Sequence, residues 1–147
     1  MDMTDVQFTP EQVLEQAKGN SAALTLATVA FFKLQGWELE QLVDFMGTQL
    51  ARGWETMRGQ GALSTMNFVV LNMVSYGAKL VSLVGDESYA TAIISKWPPR
   101  QWLDYFGLTT QDVDAWSDLF KPIAVSLNFD YTRSNDGDKL IYTISHQ

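Results

Sequence analysis

The stretch Asn135-Asp136-Gly137-Asp138, followed by Leu140-Ile141-Tyr142-Thr143-Ile144, decides the fold class of this 147-residue chain. The Asp-Gly step favours a positive φ, which a tight turn between two antiparallel strands requires. After the turn, Leu140, Tyr142 and Ile144 fall at every second position and therefore share one face of a strand. Before the turn, residues 123–131 alternate between larger apolar side chains and small or polar ones. The pattern predicts two strands joined in a C-terminal β-hairpin.

Upstream of Gly85 the patterns are helical. Thr9, Pro10 and Gln12 form a helix start, because Thr9 can cap, Pro10 suits the first position and Gln12 can complete a capping box. Lys18-Gly19-Asn20 is expected to end this first, short helix. The sequence predicts four N-terminal helices, over residues 10–18, 21–35, 37–58 and 64–84.

The fourth predicted helix is almost entirely apolar from residue 68 to residue 84. Its polar side chains fall at spacings of three and four and so form one narrow stripe, namely Asn72, Ser75, Lys79 and Ser82. Gly77 interrupts the helix with a residue that is less favourable there than alanine by roughly 1 kcal/mol. We therefore expect a central, mostly buried helix that another element approaches closely at Gly77.

The period changes after Gly85. Residues 89–94 fit either a strand or one more helical stretch, and we favour a strand. Pro98-Pro99 begins a short helix that Gly107 ends, and Thr109 with Asp112 can cap another that reaches Phe120. The sequence thus predicts a single α+β domain over residues 1–147. In it, about four N-terminal helices and two short ones pack on a small antiparallel sheet with a C-terminal β-hairpin.

The chain lacks most of the side chains that commonly carry out enzyme chemistry. The chain has no cysteine and one histidine, His146, at the second-last position. We therefore expect no nucleophile activated by histidine. Zinc, haem, iron–sulfur and copper centres are built mainly from cysteine and histidine, so none of them is expected either. We predict no catalytic residue, no metal and no cofactor.

Charge and hydropathy bear on partners and location. The chain has 10 basic and 17 acidic residues, and the resulting net charge of −7 disfavours nucleic-acid binding, which depends on basic side chains that neutralise phosphates. The longest nearly apolar run, residues 22–34, is shorter than the ~20 residues that span a bilayer. The polar start Met1-Asp2-Met3-Thr4-Asp5 does not resemble a signal peptide. We expect a cytoplasmic protein with no nucleic-acid or membrane partner.

The most unusual local composition is Trp97-Pro98-Pro99-Arg100-Gln101-Trp102-Leu103-Asp104-Tyr105-Phe106, with Trp116 nearby. As a binding site, this segment would form the wall or lid of an apolar pocket, where Arg100 recognises an acidic ligand group or stacks over an indole. As structure alone, it would be a small core that seats two short helices. The candidate ligand-binding residues are Trp54, Asn72, Tyr76, Trp97, Arg100, Trp102, Tyr105 and Trp116.

The acidic residues do not indicate a metal site. Asp112, Asp114 and Asp118 lie near a predicted helix N-terminus, where the helix dipole favours them, and their spacing is not that of a calcium loop. Asn135-Asp136-Gly137-Asp138 resembles the opening of such a loop, but the glutamate expected at its end is absent. A hairpin turn explains these residues.

From about Trp97 onward the chain resembles a known group of bacterial proteins. The resemblance is carried by a short helix ending at Gly107, an acidic helix over residues 112–120, and Gly137-Asp138 before the strand Ile141-Tyr142-Thr143-Ile144. These elements are similar to the C-terminal half of proteins related to 4-vinyl reductase domains and of aminothiazoline-carboxylate hydrolase-like proteins. The resemblance implies helices packed on an antiparallel sheet around a small-molecule pocket. Those families typically place cysteines in this region, and Ile141 stands where the last one would align, so no thiol or metal role is implied.

Three functional hypotheses follow. The first is a non-catalytic domain that binds a small, largely apolar or aromatic ligand between its helical layer and its sheet. The second is a protein–protein interaction or homodimerisation module, in which the apolar surfaces of the second and fourth predicted helices meet a second chain. The third is an enzyme that uses carboxylate, tyrosine or lysine chemistry, which requires two ionisable groups that converge in a pocket.

Overall fold

The computed structural model describes residues 7–147 and shows an α+β fold. Helices pack on one face of a four-stranded antiparallel sheet with the strand order β1-β2-β4-β3. The helices are α1 (Pro10–Leu34), α2 (Leu39–Ala51), α3 (Ala62–Ser75), α4 (Arg100–Phe106), α5 (Thr110–Trp116) and α6 (Phe120–Ser126), with 3-10 turns at Arg52–Met57 and Ser117–Leu119. The strands are β1 (Leu80–Gly85), β2 (Tyr89–Ser95), β3 (Phe129–Asp136) and β4 (Lys139–His146).

The C-terminal hairpin is confirmed. Its two-residue loop is Gly137-Asp138, between the paired residues Asp136 and Lys139, and Gly137 has a φ of +59°. A positive φ at this position matches the right-handed twist of the flanking strands. The side chains predicted to share the inner face of the last strand are all buried there, namely Leu140, Tyr142 and Ile144.

The segment at residues 89–94 is a strand, as favoured from the sequence. It belongs to β2, which pairs with β1 on one side and with β4 on the other. Its alternate residues Ala90, Ala92 and Ile94 are fully buried against the helices. This pairing makes β2 and β4 the two central strands of the sheet.

The first two predicted helices are one continuous helix, so the expected break at Lys18-Gly19-Asn20 is wrong. The capping box of Thr9 and Gln12 starts α1 as predicted. A single glycine lowers helix stability by only about 1 kcal/mol, whereas restarting a helix requires a new, unfavourable nucleus. Good helix formers on both sides of Gly19 therefore carry the helix through it to Leu34.

The third predicted helix is mainly α2, which tightens into a 3-10 turn over Arg52–Met57. Leu42 and Val43 of α2 are buried in the core. Near its middle, α2 passes close to the turn Ser117–Leu119. A Cβ atom at Gly47 would overlap the Leu119 carbonyl oxygen and lie 2.8 Å from Cγ of Pro122. Gly47 therefore allows the close approach of these two segments.

The fourth predicted helix is wrong in its second half. Helix α3 ends at Ser75, and Leu80–Gly85 forms the edge strand β1. Gly77 adopts a φ of +109°, which breaks the helix, and β-branched residues such as Val81 and Val84 suit the strand that follows. The polar stripe expected along one helix is therefore divided between two elements. A Cβ at Gly77 would lie 3.4 Å from the Trp97 ring, an ordinary van der Waals distance, so the positive φ of Gly77 and not a close approach accounts for the glycine.

The strand predicted from the alternation at residues 123–131 is also wrong over its first part. Residues Phe120–Ser126 form α6, and β3 begins at Phe129. Ile123, Ala124 and Leu127 are buried together on one side of the helical segment, at spacings that a helix also produces. The positive φ of Asn128, +69°, then turns the chain into the strand. The two short helices α4 and α5 are present, and Thr109 and Asp112 form the expected capping box. Helix α5 ends at Trp116 and not at Phe120 as predicted, because the chain tightens into the 3-10 turn Ser117–Leu119.

The helices form two layers over the sheet. Helices α3 and α6 contact the strands directly, α2 packs on α6, and α1 lies outermost against α2, α4 and α5. Buried side chains from every layer join in one hydrophobic core. Within the described residues, no helix is long and apolar enough to cross a membrane.

Candidate functional site

A cleft of about 380 Å³ opens where β2 leaves the sheet and the chain turns into α4 and α5. Gly107, with a φ of +66°, ends α4 and turns the chain back, so the start of α4 and the start of α5 border the same concavity. The residues that line the cleft are Lys96, Trp97, Pro98, Arg100, Leu103, Asp104, Leu108, Thr109 and Thr110.

Trp97 supplies the aromatic wall of the cleft. Its side chain is 6% exposed, and its ring lies 5.4 Å from that of Tyr76, at the end of α3. Gly77 also contacts the indole, because a Cβ atom there would lie 3.4 Å from Cδ1 of Trp97, an ordinary van der Waals distance. The indole is therefore fixed from behind by the helix-to-strand turn.

Arg100 lies at the rim of the cleft and is exposed. Within residues 7–147 its guanidinium group forms no ion pair, whereas five other basic side chains do. An unpaired guanidinium beside an apolar wall can bind a carboxylate in a bidentate manner. Thr110 lines the same cleft.

Lys96 connects the cleft to a buried carboxylate. Its Nζ atom lies 3.4 Å from Oδ2 of Asp114, whose side chain is only 3% exposed. Neither carboxylate oxygen of Asp114 accepts a hydrogen bond. The Lys96 backbone N–H donates to the carbonyl oxygen of Asp138, which ties the cleft to the β3–β4 turn. Lys96 thus provides the charge that keeps Asp114 stable in the interior.

Further polar groups lie buried beside Asp114, between α5 and the sheet. Trp116 Nε1 and the Tyr142 hydroxyl also lack hydrogen-bond partners in the described structure, whereas the Tyr131 hydroxyl donates to the Ser117 carbonyl oxygen over 3.1 Å. Burial raises the pKa of both tyrosines well above the usual value, so both phenols are protonated at neutral pH. These phenols can donate hydrogen bonds but do not act as bases there.

An ion pair between Arg133 and Asp118 lies at the edge of this buried region. Arg133 Nε donates to Oδ1 of Asp118 over 2.7 Å, and Nη2 donates to Oδ2 over 3.0 Å. The hydrogen bond to Asp118 is the main reason that the pKa of Arg133 is raised. The bidentate pair fixes β3 to the turn that follows α5.

The structure brings together three of the candidate residues predicted from the sequence. Tyr76, Trp97 and Arg100 lie at the cleft or directly behind its wall. Trp102 and Tyr105 are on the neighbouring side of α4, where they line a shallow groove against α1. The aromatic segment is therefore divided between two surfaces.

The other three candidates do not join the cleft. Trp54 packs in the core with its ring 4.8 Å from Phe68 and 5.9 Å from Phe120. Trp116 is buried in the core beneath α5. The amide of Asn72 donates to the carbonyl oxygen of Phe68 in its own helix. These three residues have structural roles in the described contacts.

The expected position of the ligand site also changes. The space between the helices and the sheet is filled by side chains that include the fully buried Met66, Ile94 and Tyr142. Five of the best-formed clefts in the described structure lie on the surface, and none of these five is lined by both α3 and the sheet. The candidate site is therefore a surface cleft.

Lys96 and Asp114 were missed by the sequence reasoning. Asp114 was explained by the helix dipole alone, and Lys96 was not considered. The pair joins residues that are 18 positions apart, and their contact depends on how α5 packs against the end of β2. Arg133 could have been found from the strand pattern, because Phe129, Tyr131 and Arg133 alternate onto the buried face once β3 is placed correctly.

In the described part of the chain, no three acidic or histidine side chains are grouped so that they could hold a metal ion. Comparison with protein-family models, with curated proteins and with solved structures gives no match. The resemblance of the C-terminal part to 4-vinyl reductase-related proteins therefore stays a prediction, and the cleft has to be interpreted from its own chemistry.

Proposed function

We propose that this chain is a binding domain for a small molecule with an apolar, aromatic body and a carboxylate, and that the ligand occupies the cleft beside Trp97. The observation that carries the proposal is that one cleft contains both a buried indole wall and a guanidinium group without an ion pair. Small-molecule sites typically combine a mainly apolar lining with a few polar groups that fix the orientation of the ligand.

The apolar part of the cleft suits a flat ring. The indole of Trp97 packs against Tyr76 and Gly77 and is already ordered, so little side-chain entropy is lost when a ligand ring binds against it. Leu103 and Leu108 add aliphatic surface. At about 380 Å³, the cleft is at the lower end of the volumes that ligand sites occupy, which favours a ligand of one or two rings.

The charges of the cleft favour an acid over a base. Lys96 and Arg100 are basic, Asp104 is acidic, and Lys96 is already matched by Asp114. Arg100 is therefore the group available to a ligand carboxylate, while Asp104 on the next turn of α4 disfavours a second negative charge. A ligand with a single carboxylate fits this arrangement best.

Isothermal titration calorimetry with naphthoate and with its uncharged amide tests the proposal. We expect naphthoate to bind and the amide to bind at least about tenfold more weakly, because an ionic hydrogen bond contributes roughly 1.5–3 kcal/mol. Arg100→Gln should remove this preference for the acid. Arg52→Gln, at an exposed arginine outside the cleft, serves as the matched control and should leave binding unchanged.

Equal binding of acid and amide, or an unchanged preference in Arg100→Gln, would contradict the role of Arg100. Trp97 is itself part of the core, so a substitution there could abolish binding by unfolding the protein. Quenching of the indole fluorescence by the bound ring therefore provides the independent readout. Absence of binding by naphthoate and by a panel of smaller aromatic acids would overturn the proposal.

A homodimer, the second possibility, was expected through the second and fourth predicted helices, which correspond to part of α1 and to α3 with β1. The outer side of α1 is the surface that we assign to it. The two proposals do not depend on each other, because none of the residues lining the cleft belongs to α1.

A further inference from the structure

Helix α1 has two apolar faces, and the rest of the described chain covers only one of them. The buried face consists of Ala22, Thr25, Leu26 and Val29. On the opposite side lies a second row of residues, which we call the outward seam: Val13, Ala17, Asn20, Leu24, Ala27, Phe31 and Leu34. All seven side chains of the seam are exposed.

The outward seam has the spacing of a coiled coil. Its residues follow one another at alternating intervals of four and three, which is the heptad pattern of a helix that pairs with another helix. The seam spans about 32 Å at 1.5 Å per residue. At 100° per residue, Leu24 and Leu26 point about 200° apart, so burial of one leaves the other facing outward.

The seam is unlike an ordinary solvated surface. Leu24 is 70% exposed, Phe31 51% and Leu34 83%. The positions that flank the seam carry no charge, since they are Leu14, Gln16, Ser21, Ala23, Thr28, Ala30 and Gln35. The four charged residues of α1 all lie elsewhere on the helix. A helix face of this length without charge is typical of an interface.

Helix α4 extends the apolar surface along one side of the seam. Phe106 borders a groove of about 660 Å³ with Ala27, Ala30, Phe31 and Leu34. Lys33 also lines this groove, and its charge is paired with Asp112. A second groove of about 360 Å³ lies between Ala23 and the aromatic side chains of α4, among them Tyr105, which is 84% exposed. Small alanines between larger side chains create holes that side chains of a facing helix can fill.

We propose that the outward seam pairs with the same seam of a second copy of this chain. With Phe8 and Tyr105, the exposed seam side chains present on the order of 900 Å² per protomer, comparable with the ~800 Å² per partner of a standard interface. The globular part of each protomer lies on the far side of its own α1, so two seams can meet without a clash between the globular parts.

The features of the seam favour a helix of a second copy, and not a membrane surface, as its binding partner. Helices that lie on membranes carry lysine and arginine beside their apolar face, whereas the flanks of this seam are uncharged and the chain has a net charge of −7. Asn20 is the one polar residue in the seam. Its carboxamide oxygen accepts a hydrogen bond from Gln16 over 2.9 Å, and its amide hydrogens are available to the partner helix. Asn20 occupies a d position of the heptad, and a hydrogen bond from its amide to a polar group of the partner helix would favour one register of pairing.

Sedimentation equilibrium of the intact chain tests the proposal. We expect a mass of twice 16.5 kDa for the unmodified protein and 16.5 kDa for Leu24→Glu, which places a charge in the middle of the seam. The dimer dissociation constant should rise about a hundredfold or more. Because Leu24 is exposed in the monomer, the variant should keep its far-UV circular dichroism spectrum.

Leu71→Glu is the matched control, because Leu71 is also an exposed helical leucine, 57% exposed, but lies on α3 away from the seam. It should remain dimeric. A monomeric unmodified protein at about 0.1 mM, a Leu24→Glu variant that stays dimeric, or a Leu71→Glu variant that becomes monomeric would each overturn the proposal.

Cross-linking locates the interface independently. The chain has no cysteine, so one introduced thiol can react only with its counterpart in another copy. Leu24→Cys lies at the midpoint of the seam and meets its counterpart in either direction of helix pairing. Under mild oxidation we expect a disulfide-linked dimer from Leu24→Cys and none from Glu15→Cys, which faces the opposite side of α1. Equal cross-linking of both variants, or none from a dimeric Leu24→Cys, would overturn the proposal.

Discussion

At Asp114 a carboxylate lies almost wholly out of water, with a lysine nitrogen 3.4 Å away and no hydrogen bond. An ion pair of this kind is a weak source of stability compared with apolar packing, but removal of one partner leaves a buried charge. Thr9 and Thr109, which cap helices, differ from Asp114 in how far away their partners lie in the sequence. Their capping boxes were predicted correctly because the partners are three residues away, whereas the partner of Asp114 depends on tertiary packing.

We expect Lys96→Met to lower the free energy of unfolding by about 2 kcal/mol. This is below the usual range for a buried pair because Lys96 is 23% exposed. The double variant Lys96→Met/Asp114→Leu should regain most of the loss, since neither charge is then left alone. Urea denaturation of the two single variants and the double variant measures the coupling. Additive effects of the two substitutions would show that the pair does not interact.

Asp112 makes stability depend on pH. Burial alone would raise the pKa of its carboxyl group, but hydrogen bonds from Lys33, 2.8 Å away, and from Thr109 together outweigh burial and hold the pKa below its usual value. Because the folded pKa is the lower one, this contribution is fully present above about pH 4 and is lost as the pH falls through the folded pKa.

The Asp112→Asn variant should therefore be less stable than the unmodified protein at neutral pH, by about 1 kcal/mol, and should lose less stability on acidification. Chemical denaturation at about pH 7 and about pH 3 measures both effects. Asp104→Asn is the control, because that exposed carboxylate accepts no hydrogen bond within residues 7–147. If the stability of Asp104→Asn depended on pH as weakly as that of Asp112→Asn, the pH dependence could not be attributed to Asp112.

At the scale of elements, two glycines inside helices have opposite surroundings. Gly19 in α1 has no atom within 4 Å of the position where a Cβ would stand, whereas Gly47 in α2 lies against Leu119 and Pro122. The sequence prediction placed Gly47 inside a helix and Gly19 at a break between two helices, yet both lie within continuous helices. Only the packing of α2 on the turn Ser117–Leu119 distinguishes them.

We expect Gly19→Ala to raise the free energy of unfolding by up to about 1 kcal/mol, because alanine is the better helix former. Gly47→Ala gains the same propensity but forces α2 away from Leu119, and a net loss of about 2 kcal/mol is expected. Thermal and urea denaturation of the matched pair tests this difference. If Gly47→Ala were as stable as Gly19→Ala, the close approach of the two segments would be wrong.

The elements that were predicted correctly have strong local signals at both ends. The Gly137-Asp138 turn defines the last hairpin, and Pro99 and Gly107 delimit α4. Apart from the helix break wrongly predicted at Lys18-Gly19-Asn20, two larger errors occurred in apolar stretches where helix and strand patterns overlap. At residues 64–84 one helix was predicted where α3 gives way to β1, and at residues 123–131 alternation was compatible with α6. Tertiary packing selected between the two patterns in each case.

At the scale of the whole molecule, dimerisation through α1 would couple stability to concentration. The thermal midpoint of a dimer rises with protein concentration, because dissociation accompanies unfolding. We expect an increase of about 2–4 °C per tenfold rise in concentration for the unmodified protein. The Leu24→Glu variant should show a midpoint that does not change with concentration. Differential scanning calorimetry over two decades of concentration makes this comparison.

The sequence also predicted the overall α+β class, with helices on an antiparallel sheet, but not the arrangement of the helical layers. The apolar character of residues 22–34 was assigned to a core helix, although half of that surface faces outward. Periodicity shows which residues of a helix share a face, and it does not show which face the rest of the chain covers. The same limit applies to the cleft, whose aromatic wall was found and whose lysine was not.

The strand order β1-β2-β4-β3 has a consequence for the order in which the chain folds. The hairpins β1–β2 and β3–β4 are each local in sequence and can form early, within microseconds. The pairing of β2 with β4 must then close a loop formed by residues 96–138, which contains α4, α5 and α6. Closure of that loop carries the largest entropic penalty and is expected to limit the folding rate. The cleft beside Trp97 is bounded by this loop, so it takes shape in the last step of folding, when the two hairpins join.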